Sequence, residues 1–221
     1  MDSKERDIIR REQALMGEVV SLEPIEKYLQ RHDSHKTDAL LSDITPTDLL
    51  GALVFAADKH SRQRRKDAVA SPYINHPIAV AAVLAIEGEV TDRATLVAAI
   101  LHDTVEDTKT TFQELSDQFG DDVSNLVREV TDDKSLDKAV RKQLQIEHAA
   151  KSSAKAKQIK LADRICNIRD ILNSPPADWP LERRIEYLDW SCKVVSGCSG
   201  VNEKLDQAFD NALEQARAAI A

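Results

Sequence analysis

ATLVAAILHDTVEDT, residues 94–108, is an almost wholly apolar run that opens directly onto His102, Asp103, Glu106 and Asp107. Leu96, Val97, Ile100 and Leu101 are separated only by small residues, so a helix here has no solvent face and belongs inside the protein. His102 and Glu106 are four apart, as are Asp103 and Asp107, and Asp103 and Glu106 are three apart. The spacing predicts that all four project from one side of a helix. Three carboxylates beside a core cost several kcal/mol each, by order of magnitude, unless a cation compensates them, and no Lys or Arg lies between Ala94 and Thr108. A divalent metal answers this, because imidazole nitrogen and carboxylate oxygen are ordinary ligands for Mn, Fe or Zn. The competing reading is a solvated helix end with His102 as a satisfied core histidine. Four ionisable groups on one face below a buried run favour the metal.

The chain has 221 residues, 42% hydrophobic and 31% charged, enough for one sizeable core. Six glycines, seven prolines and 4% aromatics leave few strand formers and turn residues, so the composition favours helices. A net charge of −8 argues against a general nucleic-acid or membrane-surface binder. Cys166, Cys192 and Cys198 form an odd set without metal-finger spacing, which points to a reduced, intracellular protein, with Cys166 packed on an apolar helix. No apolar run approaches the roughly 20 residues of a membrane span, and the acidic MDSKERD start is unlike a secretory signal, so a soluble cytoplasmic protein is expected.

One domain with an appendage is expected: an N-terminal helical extension over residues 1–45 and a main domain over 46–221. The extension carries Ile8, Ile9, Leu15 and Met16, then Leu22, Ile25 and Leu29, too few apolar residues to stand alone. His32 and His35 are three apart but lie in polar surroundings that read as solvated surface. In the main domain, Thr47 is the expected cap of a helix running to about His60, with Leu50, Leu53, Val54 and Ala57 inward. SRQRRKDAVA, residues 61–70, concentrates Arg62, Arg64, Arg65 and Lys66 in a loop, as either a solvated turn or a phosphate clamp. His76 precedes Pro77 and stands at the mouth of a second apolar helix, IAVAAVLAIE.

Further on, Thr111 and Glu114 predict a capping box for a helix that closes at Gly120. Val123, Leu126, Val127 and Val130 mark the next helix. A charged helix follows, with Leu136, Val140, Leu144 and His148 as its expected inner stripe. Ser153 caps a long helix whose core side carries Leu161, Ile165, Ile168 and Leu172. On an adjacent stripe, Asp163 needs a partner, either a salt bridge to Lys160, Arg164 or Arg169, or a metal. Pro180 starts another helix, and Gly197 and Gly200 separate it from the last. With no strand series and no Gly-rich phosphate loop, the expected class is all-α.

AADKHSRQRRKD (56–67), SPYINHP (71–77), ILHDTVEDT (100–108), EVTDDKSL (129–136), KLADRICNIRD (160–170) and ERRIEYLDW (182–190) together resemble the HD-domain alarmone hydrolases of the RelA/SpoT group, in particular the single-domain Mesh-type enzymes. An isolated His-Asp dipeptide carries little information. HDTVEDT preceded by YINHP and followed at long range by KLAD is specific.

This resemblance implies an HD-domain helical bundle with one Mn2+ ion on His76, His102, Asp103 and Asp163, choosing His76 over His60. It implies Glu106 and Asp107 as the pair that positions and activates water. Arg65 and Lys66 match positions holding the base and phosphates, Asn167 one near the ribose, and Arg183 and Tyr187 ones closing over the distal phosphates. The implied activity is hydrolysis of (p)ppGpp at its 3′-pyrophosphate to GDP or GTP and pyrophosphate, without a synthetase domain. The competing activities are phosphatase action on another nucleotide, such as the 2′-phosphate of NADPH, and a non-catalytic nucleotide-binding module. A small-molecule nucleotide is the implied partner, with no nucleic acid or membrane, and an oligomer is possible. Ala68 to Ser71 lacks a glycine where related loops commonly carry one, so a base pocket of different shape is expected there. The first 45 residues match no part of the pattern.

Overall fold

All eight residues from Ala94 to Leu101 are buried, and the surrounding helices are arranged about them. A computed structural model describes residues 45–220; the expected N-terminal extension, with His32 and His35, lies outside these residues except for Thr45. Within them, ten α-helices run in order: α1 (Pro46–Lys59), α2 (Asn75–Ala82), α3 (Arg93–Leu101), α4 (Thr104–Asp107), α5 (Phe112–Phe119), α6 (Asp121–Val130), α7 (Lys138–Ala149), α8 (Ala154–Asn173), α9 (Leu181–Val195) and α10 (Glu203–Ile220). A π-helical turn, Val83–Glu87, continues α2. The described residues contain no strand, only an isolated bridge between Arg64 and Pro72, so the fold is all-α. None of their helices is long and apolar enough to cross a membrane.

Helix α3 packs against α1, α2, α6 and α8, and α8 in turn carries α9 and α10 on its far side. Leu161, Ile165 and Ile168 of α8 are wholly buried, as expected, and Leu172 is half-buried. Ser153 accepts from the Ala156 amide at 3.2 Å and starts this helix. Thr111 accepts from the Glu114 amide at 3.1 Å, but the Glu114 carboxylate turns to Lys59 at 2.7 Å instead of completing the capping box. Gly120 closes α5 with φ of 93°, which glycine adopts without steric cost. Ala70 takes a left-handed φ of 50° within the segment lacking the expected glycine.

Two inner faces differ from the sequence expectation. Helix α1 is capped by Thr45, not Thr47, in a capping box with Asp48. Its buried positions are Ala52 and Ala56, whereas Leu50 and Val54 are 60% and 71% exposed and Ala57 also faces out. The small alanines allow α3 to approach closely. In α7, Val140 and His148 are exposed, as is Leu136 just before it. Its more buried residues include Arg141, Leu144, Gln145, Ile146 and Ala149, of which Gln145 lines a polar cavity while Ile146 and Ala149 pack on the core.

Candidate active site and metal centre

Helix α3 stops at Leu101, one residue before the His-Asp pair. The His102 Nδ1 lies 2.8 Å from the Ala99 carbonyl and the Thr104 hydroxyl donates to the Leu101 carbonyl at 2.7 Å. These side chains occupy acceptors at the helix end, and the chain turns before the short α4. The four groups therefore do not share the face of one continuous helix. His102, Asp103 and Glu106 line one cavity of about 180 Å³. Asp107 lines a separate, more open one with Arg62, Gln63 and Lys109. Its carboxylate accepts from Gln63 Nε2 at 2.7 Å and pairs with Lys134.

His76, in the first turn of α2, and Asp163, at the middle of α8, reach the same cavity as His102 and Asp103. One ligand atom from each of His76, His102 and Asp103 lies within 4.8 Å of the others. His76 Nε2 is 3.1 Å from Asp163 Oδ1 and 3.9 Å from Asp103 Oδ2. His102 Nε2 is 3.1 Å from Asp103 Oδ2, yet it is buried without a hydrogen bond. A carbonyl can only accept, so His102 carries its proton on Nδ1 and the neutral ring points a lone pair at a carboxylate oxygen. Either a second proton or a cation must compensate that contact. Without a cation, burial would lower the imidazole pKa, but the adjacent Asp103 charge outweighs it and holds the pKa at about 9. Asp103 and Asp163 stay well below the usual carboxylate range despite burial, chiefly through His102 for the first and Arg164 for the second. Two imidazoles and two ionised carboxylates from three helical segments fit a divalent cation.

Supporting residues hold these donors in place. The Tyr73 hydroxyl donates to Asp103 Oδ2 at 2.5 Å. Burial, then the charges of Asp103 and Asp107, push its pKa far up, so it remains a donor. Asn167 Nδ2 donates to Asp163 Oδ1 at 2.6 Å, and Arg164 pairs with Asp163 Oδ2 at 3.2 Å. Glu106 accepts from the Asp132 amide at 3.1 Å. Burial raises its pKa to about 7, with the Asp103 and Asp132 charges reinforcing the shift and the Asp132 amide and Lys134 opposing it. A carboxyl poised there can take a proton near neutral pH.

Arg65 and Asn167 also line the cavity. Arg65 pairs with Asp170 and lies over the Tyr73 ring, 5.6 Å from its centroid. Lys66, Arg183 and Tyr187 do not line it. Lys66 is exposed, Arg183 lies over the Trp179 ring at 4.3 Å, and the Tyr187 hydroxyl accepts from Arg164 at 3.1 Å. Tyr73, Asp132, Gln145, Lys160 and Arg164 line the cavity without having been singled out as site residues. The spacing of Lys160, Asp163, Arg164 and Asn167 marks one helix face and was the available signal.

An all-helical bundle that gathers a histidine, a His-Asp pair and a distant aspartate has the architecture of a metal-dependent HD phosphohydrolase. The family model described as HD domain matches residues 52–186. The chain is 53% identical over 163 residues to guanosine-3′,5′-bis(diphosphate) 3′-pyrophosphohydrolase MESH1 of Xenopus tropicalis, covering 74% of this chain and 91% of that protein. It is 50% identical over 167 residues to the Homo sapiens protein of that name, covering 76% and 93%. A solved structure described as a metazoan ortholog of SpoT that hydrolyses ppGpp matches with a TM-score of 0.75 and 48% identity, over 79% of this chain and 98% of that one. The chain belongs to the HD domain family, in the group of the MESH1 hydrolases.

Proposed function

We propose that this protein hydrolyses guanosine-3′,5′-bis(diphosphate), and its 5′-triphosphate counterpart, to GDP or GTP and pyrophosphate, with Mn2+ as the ion. The observation that carries the reading is the MESH1 likeness over nine-tenths of those relatives' length, in a chain where His76, His102 and Asp103 cluster and Asp163 lies 3.1 Å from His76. The hydrolase domain is assigned to residues 46–221.

His76, His102, Asp103 and Asp163 would hold the ion. When bound, a divalent ion lowers the pKa of water and polarises a phosphoryl oxygen. Glu106 opens on the same cavity and accepts the proton as water oxygen joins the phosphorus nearest the ribose. The bond from that phosphorus to the 3′-oxygen breaks, the 3′-oxygen takes a proton, and pyrophosphate leaves. Asp107, held by Gln63 and Lys134, fixes the turn that aims Glu106. Arg65 offers a guanidinium plane for the base, and Asn167, bonded to Asp163, stands next to it near the ribose. Arg183 and Tyr187 act from outside the cavity wall, Tyr187 through Arg164. The test is product analysis with purified, Mn-loaded protein: ppGpp should give GDP and pyrophosphate while GTP stays intact. Phosphate release from NADPH at a higher kcat/KM than ppGpp cleavage would refute this reading.

A further inference from the structure

His60 caps the C-terminal end of α1 and is 2% exposed, a buried histidine that the proposed reaction does not use. It lines neither cavity and stands outside the group of His76, His102 and Asp103. Its ring nevertheless reaches the site by two routes. His60 Nδ1 lies 2.7 Å from Gln63 Oε1, and Gln63 Nε2 donates to Asp107 Oδ2 at 2.7 Å. The ring also lies against that of Tyr73, with centroids 5.0 Å apart, and the Tyr73 hydroxyl donates to Asp103 Oδ2. The backbone binds these residues into one unit: the Gln63 amide donates to the His60 carbonyl at 2.9 Å, and the Tyr73 amide to the Gln63 carbonyl at 3.2 Å.

Hydrogen-bond chemistry gives the first route a direction. Asp107 pairs with Lys134 and accepts from Gln63, so the Gln63 amide turns its NH2 group to Asp107 and its oxygen to His60. That oxygen can only accept, so His60 presents an N–H at Nδ1. His60 Nε2 is buried with no partner among the described residues, where an N–H would be orphaned, and this favours the same tautomer.

The two routes end on either side of Glu106. Helix α4 is one turn, Thr104–Asp107, with Asp103 as its N-cap and Asp107 as its last residue. A helix of four residues is not stable by itself, so the side-chain bonds at its two ends set where Glu106 points. We propose that His60 is a positioning residue for Glu106, holding both ends of α4 through Gln63 and Tyr73. The inference rests on the reading of Glu106 as the proton acceptor of a (p)ppGpp hydrolase. His60 exchanges no proton with the substrate; its Nδ1 donor orients Gln63, and its ring supports Tyr73.

The test compares Mn-loaded wild type with His60→Phe, which keeps a ring against Tyr73 but has no donor, and His60→Asn, whose Nδ2 replaces Nδ1 as donor. A misplacement of about 1 Å can cost about 10²-fold in rate, so His60→Phe should lower kcat for ppGpp about 10- to 100-fold. KM should stay within about threefold, because Arg65 and the other binding groups are untouched, and bound Mn should be unchanged. His60→Asn should recover most of the lost kcat, which a space-filling role would not allow, since Phe fills the ring's place better than Asn. Gln63→Met, of similar length and without either hydrogen bond, serves in its place if the Phe variant does not fold. Crystal structures of the Mn-loaded wild type and variant give a readout independent of substrate: the Glu106 carboxylate should shift by about 1 Å or more, and in His60→Phe the bond between Gln63 and Asp107 should open. Equal losses in the Phe and Asn variants, a change confined to KM, loss of Mn, or an unmoved Glu106 would overturn the positioning role. Wild type that leaves ppGpp intact would refute the hydrolase reading instead, and the crystal comparison would still decide whether His60 sets the place of Glu106.

Discussion

Glu106→Gln should make the metal-free protein more stable while disabling the enzyme. The Glu106 side chain is 20% exposed, and its pKa is raised from 4.5 to about 7, first by burial. Between those values the native state binds more protons than the unfolded chain, so this group removes stability as pH rises, fully so above about 7. The gap from 4.5 to about 7, at about 1.4 kcal/mol per pH unit, sets a ceiling of about 3 kcal/mol. Screening by solvent reduces this to about 1–2 kcal/mol. The amide keeps an acceptor for the Asp132 N–H and carries no charge. At about 2–4 °C per kcal/mol for a chain of this size, the metal-free variant should melt about 2–8 °C above wild type at pH 8, with the difference vanishing towards pH 4.5. Melting curves of chelator-treated proteins across this range read the effect. In the metal-loaded enzyme, loss of the general base should lower kcat about 10²- to 10⁴-fold. An equal or lower Tm at pH 8, or only a few-fold loss of kcat, would refute the environment and the role assigned to Glu106.

Chelation should abolish turnover, and Mn should restore it better than Ca because two donors are imidazoles; His76→Ala should lose bound metal by emission spectrometry, whereas Asp107→Asn should retain it. Arg65→Ala should raise KM at least about tenfold with kcat within about threefold, since contact with the base is equally present in ground and transition states; a fall confined to kcat would contradict that role. Gly197→Ala should destabilise by about 1–3 kcal/mol through overpacking, seen as a lower Tm, because an added Cβ would meet the Ala149 Cβ and the Ala150 nitrogen at 2.8 Å.

The buried helix at Ala94–Leu101 was legible because every position is apolar or small, which leaves no choice of face. Pro77 marked a helix start near His76, but the helix begins at Asn75 and takes His76 into its first turn, and it was the resemblance that chose His76 over His60. Faces were not always legible: Leu50 and Val54 outrank Ala52 and Ala56 in hydropathy, yet the alanines are the buried residues of α1 and Leu53 packs partly buried beside them. Helix α7 misled because Gln145 on its inward side lines a polar cavity, while Val140, and Leu136 just before the helix, are left outside. The turn after Leu101 depends on His102 and Thr104 bonding to backbone carbonyls, a competition that spacing alone does not reveal. That turn sends Asp107 to Gln63, a residue 44 positions away in sequence. Lys160 and Arg164 read as ordinary helix charges until α7 and the ligand cluster are brought beside them.

The most direct test of the account is the product analysis of ppGpp incubated with the Mn-loaded protein, run beside Asp103→Asn. Wild type should release GDP and pyrophosphate in equal amounts, and the variant, lacking a charged ligand, should release neither. Orthophosphate as the first product, or unchanged turnover by Asp103→Asn, would contradict it.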